Sequence, residues 1–362
     1  MRLIFDAHLD LGWCAVSYNR DLTLSVDEVR RRERGMTDEP ARGNNTLTLP
    51  ELRRAGVGVA VATLLARGGP EQKFQPAYKR TDLDHATQSI AFAAAHAQLA
   101  YYRLLEQQGH LRVLRTRGEL DAHWAAYRAA PGTTPLGVIL SMEGADPIVE
   151  PAQVPYWWEQ GLRAVGPAHY GRSHYAYGTG VDGPLSARGV ELLKCFEQVG
   201  MVLDATHLSD ASFWHAMEVY HGPVLASHHN CRALVPGDRQ LADEQIRTLV
   251  GRGAVIGVAL DAWMLYPPGW VRGVTKPDVV GLAAVADHVD HVCQLAGDTR
   301  HSAIGSDLDG GFGYEQTPRD LNTIADLQKL ADILSGRGYA DADVDAIFHG
   351  NWLRFFRDAL PA

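Results

Sequence analysis

Residues 2–10 read Arg-Leu-Ile-Phe-Asp-Ala-His-Leu-Asp. The stretch begins as a buried strand and ends in polar groups spaced two apart. Residues i, i+2 and i+4 of a strand share one face. The spacing therefore aims Asp6, His8 and Asp10 at one point beyond the apolar run. Taken alone, a His-x-Asp is commonly no more than a polar loop entry. As a pair of metal ligands it needs partners, so the other strands must supply the answer.

Further apolar, β-branched runs lie at 57–65, 136–142, 162–168, 201–206, 223–227, 254–260 and 302–306. Helical patterns fall between them at 84–108, 187–199, 209–220, 240–252 and 278–296. Strands alternating with helices pair in parallel through right-handed crossovers. With 2–8 the runs make eight strands, which predicts an α/β fold, a closed (β/α)8 TIM barrel. Gly166 and Pro167 interrupt the fourth strand. The long excursions 12–50 and 66–135 read as insertions after strands 1 and 2. In the second, Ile90, Ala94, Ala97, Tyr101 and Leu104 form one helical stripe, read as core packing. No repeat or linker divides the chain, so 1–362 reads as a single domain.

Composition narrows the class. With 46% hydrophobic and 21% charged residues, the 362-residue chain is a globular protein with a full-sized core. A net charge of −9 argues against a nucleic-acid binder, which normally carries a basic face. No run reaches the length of a membrane span, and the chain starts in a strand, not a signal peptide. Cys14, Cys195, Cys231 and Cys293 are scattered and form no C-x-x-C pair. They read as reduced thiols, and the expected location is the cytoplasm.

Barrel enzymes place their chemistry at the C-terminal ends of the strands. Here those ends carry His8 and Asp10, Glu143, His169, Asp204 and His207, His228 and His229, and Asp307 and Asp309. Imidazoles and carboxylates gathered in one barrel mouth must pair or hold a cation, because uncompensated buried charge is costly. Three or more histidines with two or three carboxylates suit zinc or a similar divalent ion. A central glutamate can bridge two metals.

At this point the chain resembles the membrane (renal) dipeptidases, peptidase family M19, a branch of the amidohydrolase-like metal-dependent hydrolases. The resemblance rests on "DAHLDLGW" at 6–13, "MEGAD" at 142–146, "GMVLDATH" at 200–207, "PVLASHHNCRAL" at 223–234, "VADHVDHVCQLAG" at 285–297, "IGSDLDGG" at 304–311 and "GNWLRFF" at 350–356. It covers nearly the whole chain. It implies two divalent metal ions, Zn2+ by preference. His8 and Asp10 would bind one, Glu143 would bridge both, and His207 and His228 would bind the second. Asp307 would act as acid and base, His169 would polarise the substrate, and Arg239 would hold its carboxylate. The family usually has Asn and Pro where this chain has Leu9 and Gly12. Ala145 replaces a glycine, Thr206 a serine, and "TLLARGG" at 63–69 an aromatic-containing strand end. None of these changes removes a ligand.

The implied activity is a metallo-dipeptidase that cleaves small dipeptides through a metal-bridging hydroxide, with D-configured C-terminal residues tolerated. The alternatives are a two-metal hydrolase of an N-acyl amino acid or lactam, and a non-catalytic barrel that retains its metals. The expected partner is a dipeptide-like small molecule, not nucleic acid or membrane, with a homodimer left open. Several neighbours are given lesser roles. His229 should point away from His228. His288 and His291 should lie on a solvated helix face. Asp309 should be a turn residue, and Asp6 should orient a ligand histidine. Trp263, Tyr266 and Trp270 form a structural loop or a pocket wall.

Overall fold

The computed structural model describes residues 1–70 and 83–362. Part of the 66–135 excursion therefore lies outside the described residues. Its strands are β1 (Ile4–Leu9), β2 (Val57–Leu65), β3 (Leu111–Val113), β4 (Leu136–Glu143), β5 (Leu162–Gly166), β6 (Val202–Asp204), β7 (Val224–Leu225), β8 (Ile256–Val258) and β9 (Ser302–Ile304). Every expected strand is present, and β3 is an addition. The sheet is parallel in the order β1-β2-β4-β5-β6-β7, with β3 on β4 and a separate β8–β9 pair. It curls as a half-barrel.

The pairings differ in length around the sheet. The long pairings are on the β1–β4 side, where β2 matches β4 from Val59↔Gly137 to Leu65↔Glu143. On the other side the strands shrink to two or three residues. Their chains turn early to present polar side chains, and Pro223 has no N–H to extend β7. A single bridge, Ala226↔Ile256, links β7 to β8. Asp307 N donates to His8 O at 3.3 Å, beside β1.

Side chains on the inner face of the sheet, Phe5, Ala7, Val59, Val61, Ile139, Ala164, Val202 and Leu225, form one buried cluster with Trp352 and Phe356. Phe356 stacks on Phe5 at 5.4 Å. Trp352 Nε1 donates to Ile304 O and Asn351 Nδ2 to Ser302 O. The "GNWLRFF" segment is thus an apolar plug at one end of the sheet, which leaves the strand C-termini as the open end.

The helix Gln88–Gln107 starts on Thr87, whose hydroxyl accepts from Ile90 N. Its buried face is Ala91, Ala95, Gln98, Leu99, Tyr102 and Leu105. This corrects the expected stripe, since Ile90 and Leu104 are half exposed. The helix is alanine-rich, so apolar spacing fixes its rotation weakly. Polar contacts set it instead. Gln98 bonds Leu65 N and O, and Tyr102 donates to Thr63 O while accepting from Gly12 N. These bonds lock the helix against the strand end that borders the site.

Candidate metal centre and active site

The C-terminal ends of the strands converge. Glu143 is the last residue of β4, and His8 lies in β1. His169, His207, His228 and Asp307 each follow the last residue of β5, β6, β7 and β9 by three positions. The backbone is left-handed at His207 (φ 67°) and Asp307 (φ 58°). Such φ values are uncommon outside glycine and concentrate at functional sites.

Glu143 is the centre of the cluster. Its Oε1 lies 3.2 Å from His207 Nε2, 3.3 Å from His228 Nε2 and 3.7 Å from His169 Nε2. Its Oε2 lies 3.6 Å from His8 Nε2. His8 Nε2 is also 3.7 Å from Asp10 Oδ2 and 3.8 Å from Asp307 Oδ1. Among the described residues, three groups have ligand atoms close enough to share one ion: His8–Glu143–His228, Glu143–His169–His207 and His8–Asp10–Asp307. Glu143 belongs to two of them.

The electrostatics follow from burial. Burial pushes Glu143 upward, yet the imidazoles of His169 and His8 hold it well below the usual carboxylate range. Burial lowers His8, but Glu143 and Asp10 more than reverse this. Burial, with Arg239 adding, pushes His207 and His228 well below the ordinary imidazole value. His169 falls to about 4, by burial and then by Arg67 and Arg239 against Glu143. Asp307 is raised well above its usual range by burial, with Glu143 and Asp10 adding and His8 opposing.

These residues fit a metal centre. His8 Nε2 is buried and has no hydrogen-bond partner. His207 Nε2 and His228 Nε2 face each other at 3.3 Å. The outer nitrogens meet hydroxyls: Thr179 Oγ1 is 3.0 Å from His207 Nδ1, and Ser227 Oγ is 2.9 Å from His228 Nδ1 and 3.3 Å from His8 Nδ1. A hydroxyl oxygen can accept Nδ1–H, which leaves the Nε2 lone pair aimed inward for a cation. Asp10 accepts a bond from Thr63 Oγ1. Thr63, Thr179 and Ser227 had no place in the sequence reading, because nothing in a chain marks a serine as the neighbour of a histidine two hundred residues away.

Asp6 reaches the candidate ligand His8, but through its backbone. The pairing of β1 with β2 shifts between Asp6 and Leu9, so the two-residue alternation breaks there. Asp6 Oδ1 accepts from His8 N and Ser306 N, holding backbone and not a ring. Asp309 accepts from Thr46 N and Oγ1, and ion-pairs with Arg20 at 3.6 Å. It ties the 12–50 excursion to the strand ends. Among the described residues, His229 belongs to none of the metal-capable groups. The solvated-face reading of His288 is corrected. Its ring is buried and accepts from Cys231 N at 3.0 Å, and burial pushes its pKa to about 3. His291 faces Asp243 at 2.8 Å.

A cavity of about 450 Å3 lies over the cluster. Arg239, Tyr170, Trp13, Trp263, Trp270 and Asp261 are in its wall, so the loop after β8 does line the pocket. Arg239 is buried, donates from Nη2 to His228 O at 3.0 Å, and leaves Nη1 without a partner.

The model of the membrane dipeptidase family, peptidase family M19, matches residues 2–360. The chain belongs to this family of metallo-dipeptidases. An uncharacterised protein of the pqqA 5′ region in Klebsiella pneumoniae is 28% identical over 234 residues, 62% of this chain and 82% of that protein. Dipeptidase aclJ of Aspergillus oryzae is 29% identical over 243 residues, 66% of this chain and 54% of its own length. Among solved structures, the M19 dipeptidase AC has a TM-score of 0.80 at 21% identity, covering 100% of this chain and 99% of its own. A metallopeptidase from Rhodobacter sphaeroides, bound to a phosphinate mimic of the dipeptide L-Ala-D-Ala, has a TM-score of 0.78 at 20% identity, covering 99% of each chain. These two likenesses are of fold.

Proposed function

We propose that the protein is a two-metal dipeptidase for small dipeptides with a free C-terminal carboxylate, built on a full (β/α)8 barrel in one domain. His8, Asp10, Glu143, His207 and His228 would hold the ions, and the mixed nitrogen and oxygen donor set favours zinc. When bound, the ions supply a water of lowered pKa and a Lewis acid for the scissile carbonyl.

The remaining work falls to side chains of this chain. Asp307 accepts the proton of the attacking water and hands it to the leaving amine. His169 donates from Nε2 to the oxygen on which charge develops. Arg239 holds the terminal carboxylate with its uncommitted Nη1. The mimic of L-Ala-D-Ala bound by the Rhodobacter protein supports a D-configured C-terminal residue as an accepted substrate. The observation that carries the reading is Glu143 within reach of four imidazoles beneath a cavity with a buried, half-paired arginine.

A panel of dipeptides, their C-terminal amides and N-acyl amino acids, assayed with metal-loaded protein, tests it. Wild type should prefer the free acid. Arg239→Met should lower kcat/KM for the acid by roughly one to two orders of magnitude, the worth of a sheltered guanidinium–carboxylate pair. The amide should barely change. Equal losses on both would make Arg239 structural, and a wild-type preference for the amide would reject the dipeptide substrate.

A further inference from the structure

The four imidazoles around Glu143 differ in what meets their outer nitrogen. For His8, His207 and His228 it is a hydroxyl. For His169 it is a guanidinium: Arg67 Nη1 lies 3.4 Å from His169 Nδ1. A hydroxyl can accept or donate, but a guanidinium only donates. His169 Nδ1 must then be the acceptor, and its proton must sit on Nε2, the nitrogen 3.7 Å from Glu143 Oε1.

We propose that Arg67 is a positioning residue that fixes His169 as the Nε2–H tautomer, making it a hydrogen-bond donor toward the substrate and barring it from ligating a cation. The donor role rests on the dipeptidase reading; the tautomer does not. Distance alone does not separate His169 from the ligands, because the ligand atoms of Glu143–His169–His207, like those of the other two groups, all lie within 4.8 Å of one another. The chemistry of the outer neighbour does separate it.

Arg67 is built to hold this position. Its Nε and Nη2 bind Asp84 Oδ1 and Oδ2 at 2.6 and 2.7 Å, a two-point pairing that sets the plane of the guanidinium. Its backbone is clamped as well, with Arg67 N donating to Leu83 O and His85 N to Arg67 O. The next residue, Gly68, donates from N to Asp146 Oδ2 at 3.1 Å, and Asp146 Oδ1 accepts from His174 N. Only Nη1 is left to face His169. Arg67 stands in the "TLLARGG" stretch that closes β2.

Nitrogen-15 NMR of the wild-type protein with labelled histidine reads the tautomer directly. His169 should show a bare Nδ1 and a protonated Nε2, while the three hydroxyl-facing rings show the reverse. A protonated Nδ1 on neutral His169 overturns the proposal, whether or not any dipeptide is cleaved. In turnover, Arg67→Met should lower kcat by roughly tenfold to a hundredfold, a partial loss of one oxyanion donor, with KM within about twofold. Arg67→Lys keeps a donor and should recover most of the rate. An unchanged kcat in Arg67→Met, or equal losses in the Met and Lys variants, would make the Arg67–Asp84 pair merely structural. Should Arg67→Met fail to fold, Asp84→Asn loosens the same guanidinium and should shift the His169 signals toward a mixture; no shift would overturn the proposal.

Discussion

Asp307→Asn is expected to keep the metal and lose roughly 10²–10⁴-fold in kcat, the usual worth of a positioned general base and acid. The substitution changes little else. Asn and Asp both tolerate the left-handed backbone found at this residue, φ 58°. The backbone bond from Asp307 N to His8 O survives, and so does the turn in which Gly310 N donates to Asp307 O. A Cβ at Gly310 would collide with the Asp307 carboxylate, so this turn is shaped around the side chain. What disappears is an oxygen able to take a proton. Activity on a good dipeptide and metal content, measured on one preparation, give the answer. Near wild-type kcat would remove Asp307 from proton transfer. Loss of metal along with activity would instead make it a ligand, as its grouping with His8 and Asp10 permits.

What the sequence displayed and what it hid follow from the range of the interactions. Strand positions were legible because apolar, β-branched runs are local. The residues at their ends were legible because carboxylates and imidazoles after such runs are rare. Strand lengths on the β6–β9 side were not, since they depend on where each chain turns to aim its polar side chain. The rotation of Gln88–Gln107 was hidden because Gln98 and Tyr102 fix it through backbone groups of a distant strand. His288 looked solvated among charged neighbours, yet it takes the Cys231 N–H in the interior. Arg67 appeared only as a departure from the family pattern. Its partner His169 is a hundred residues away, and no local rule pairs them.

Glu143→Gln should have the largest effect, abolishing turnover and costing the protein at least one of its two ions. Protein prepared without chelator and loaded with zinc should hold about two ions per chain, since five ligands with a bridging carboxylate exceed one tetrahedral site. The variant should hold one or fewer. Both Glu143 oxygens are in use, Oε1 toward His207, His228 and His169 and Oε2 toward His8. A glutamine keeps one acceptor and turns an N–H2 donor on the other side, with no negative charge for a cation to meet. Thermal unfolding supplies an independent reading. An ion that binds only the folded chain stabilises it by about 4 kcal/mol when present at a thousandfold its Kd. Wild-type Tm should therefore drop when a chelator is added, and Glu143→Gln should start low and respond weakly. Two ions retained in the variant would mean that Glu143 serves only to balance the buried imidazoles. In that case Asp10 and Asp307, the remaining carboxylates near His8 Nε2, would have to carry the metal instead.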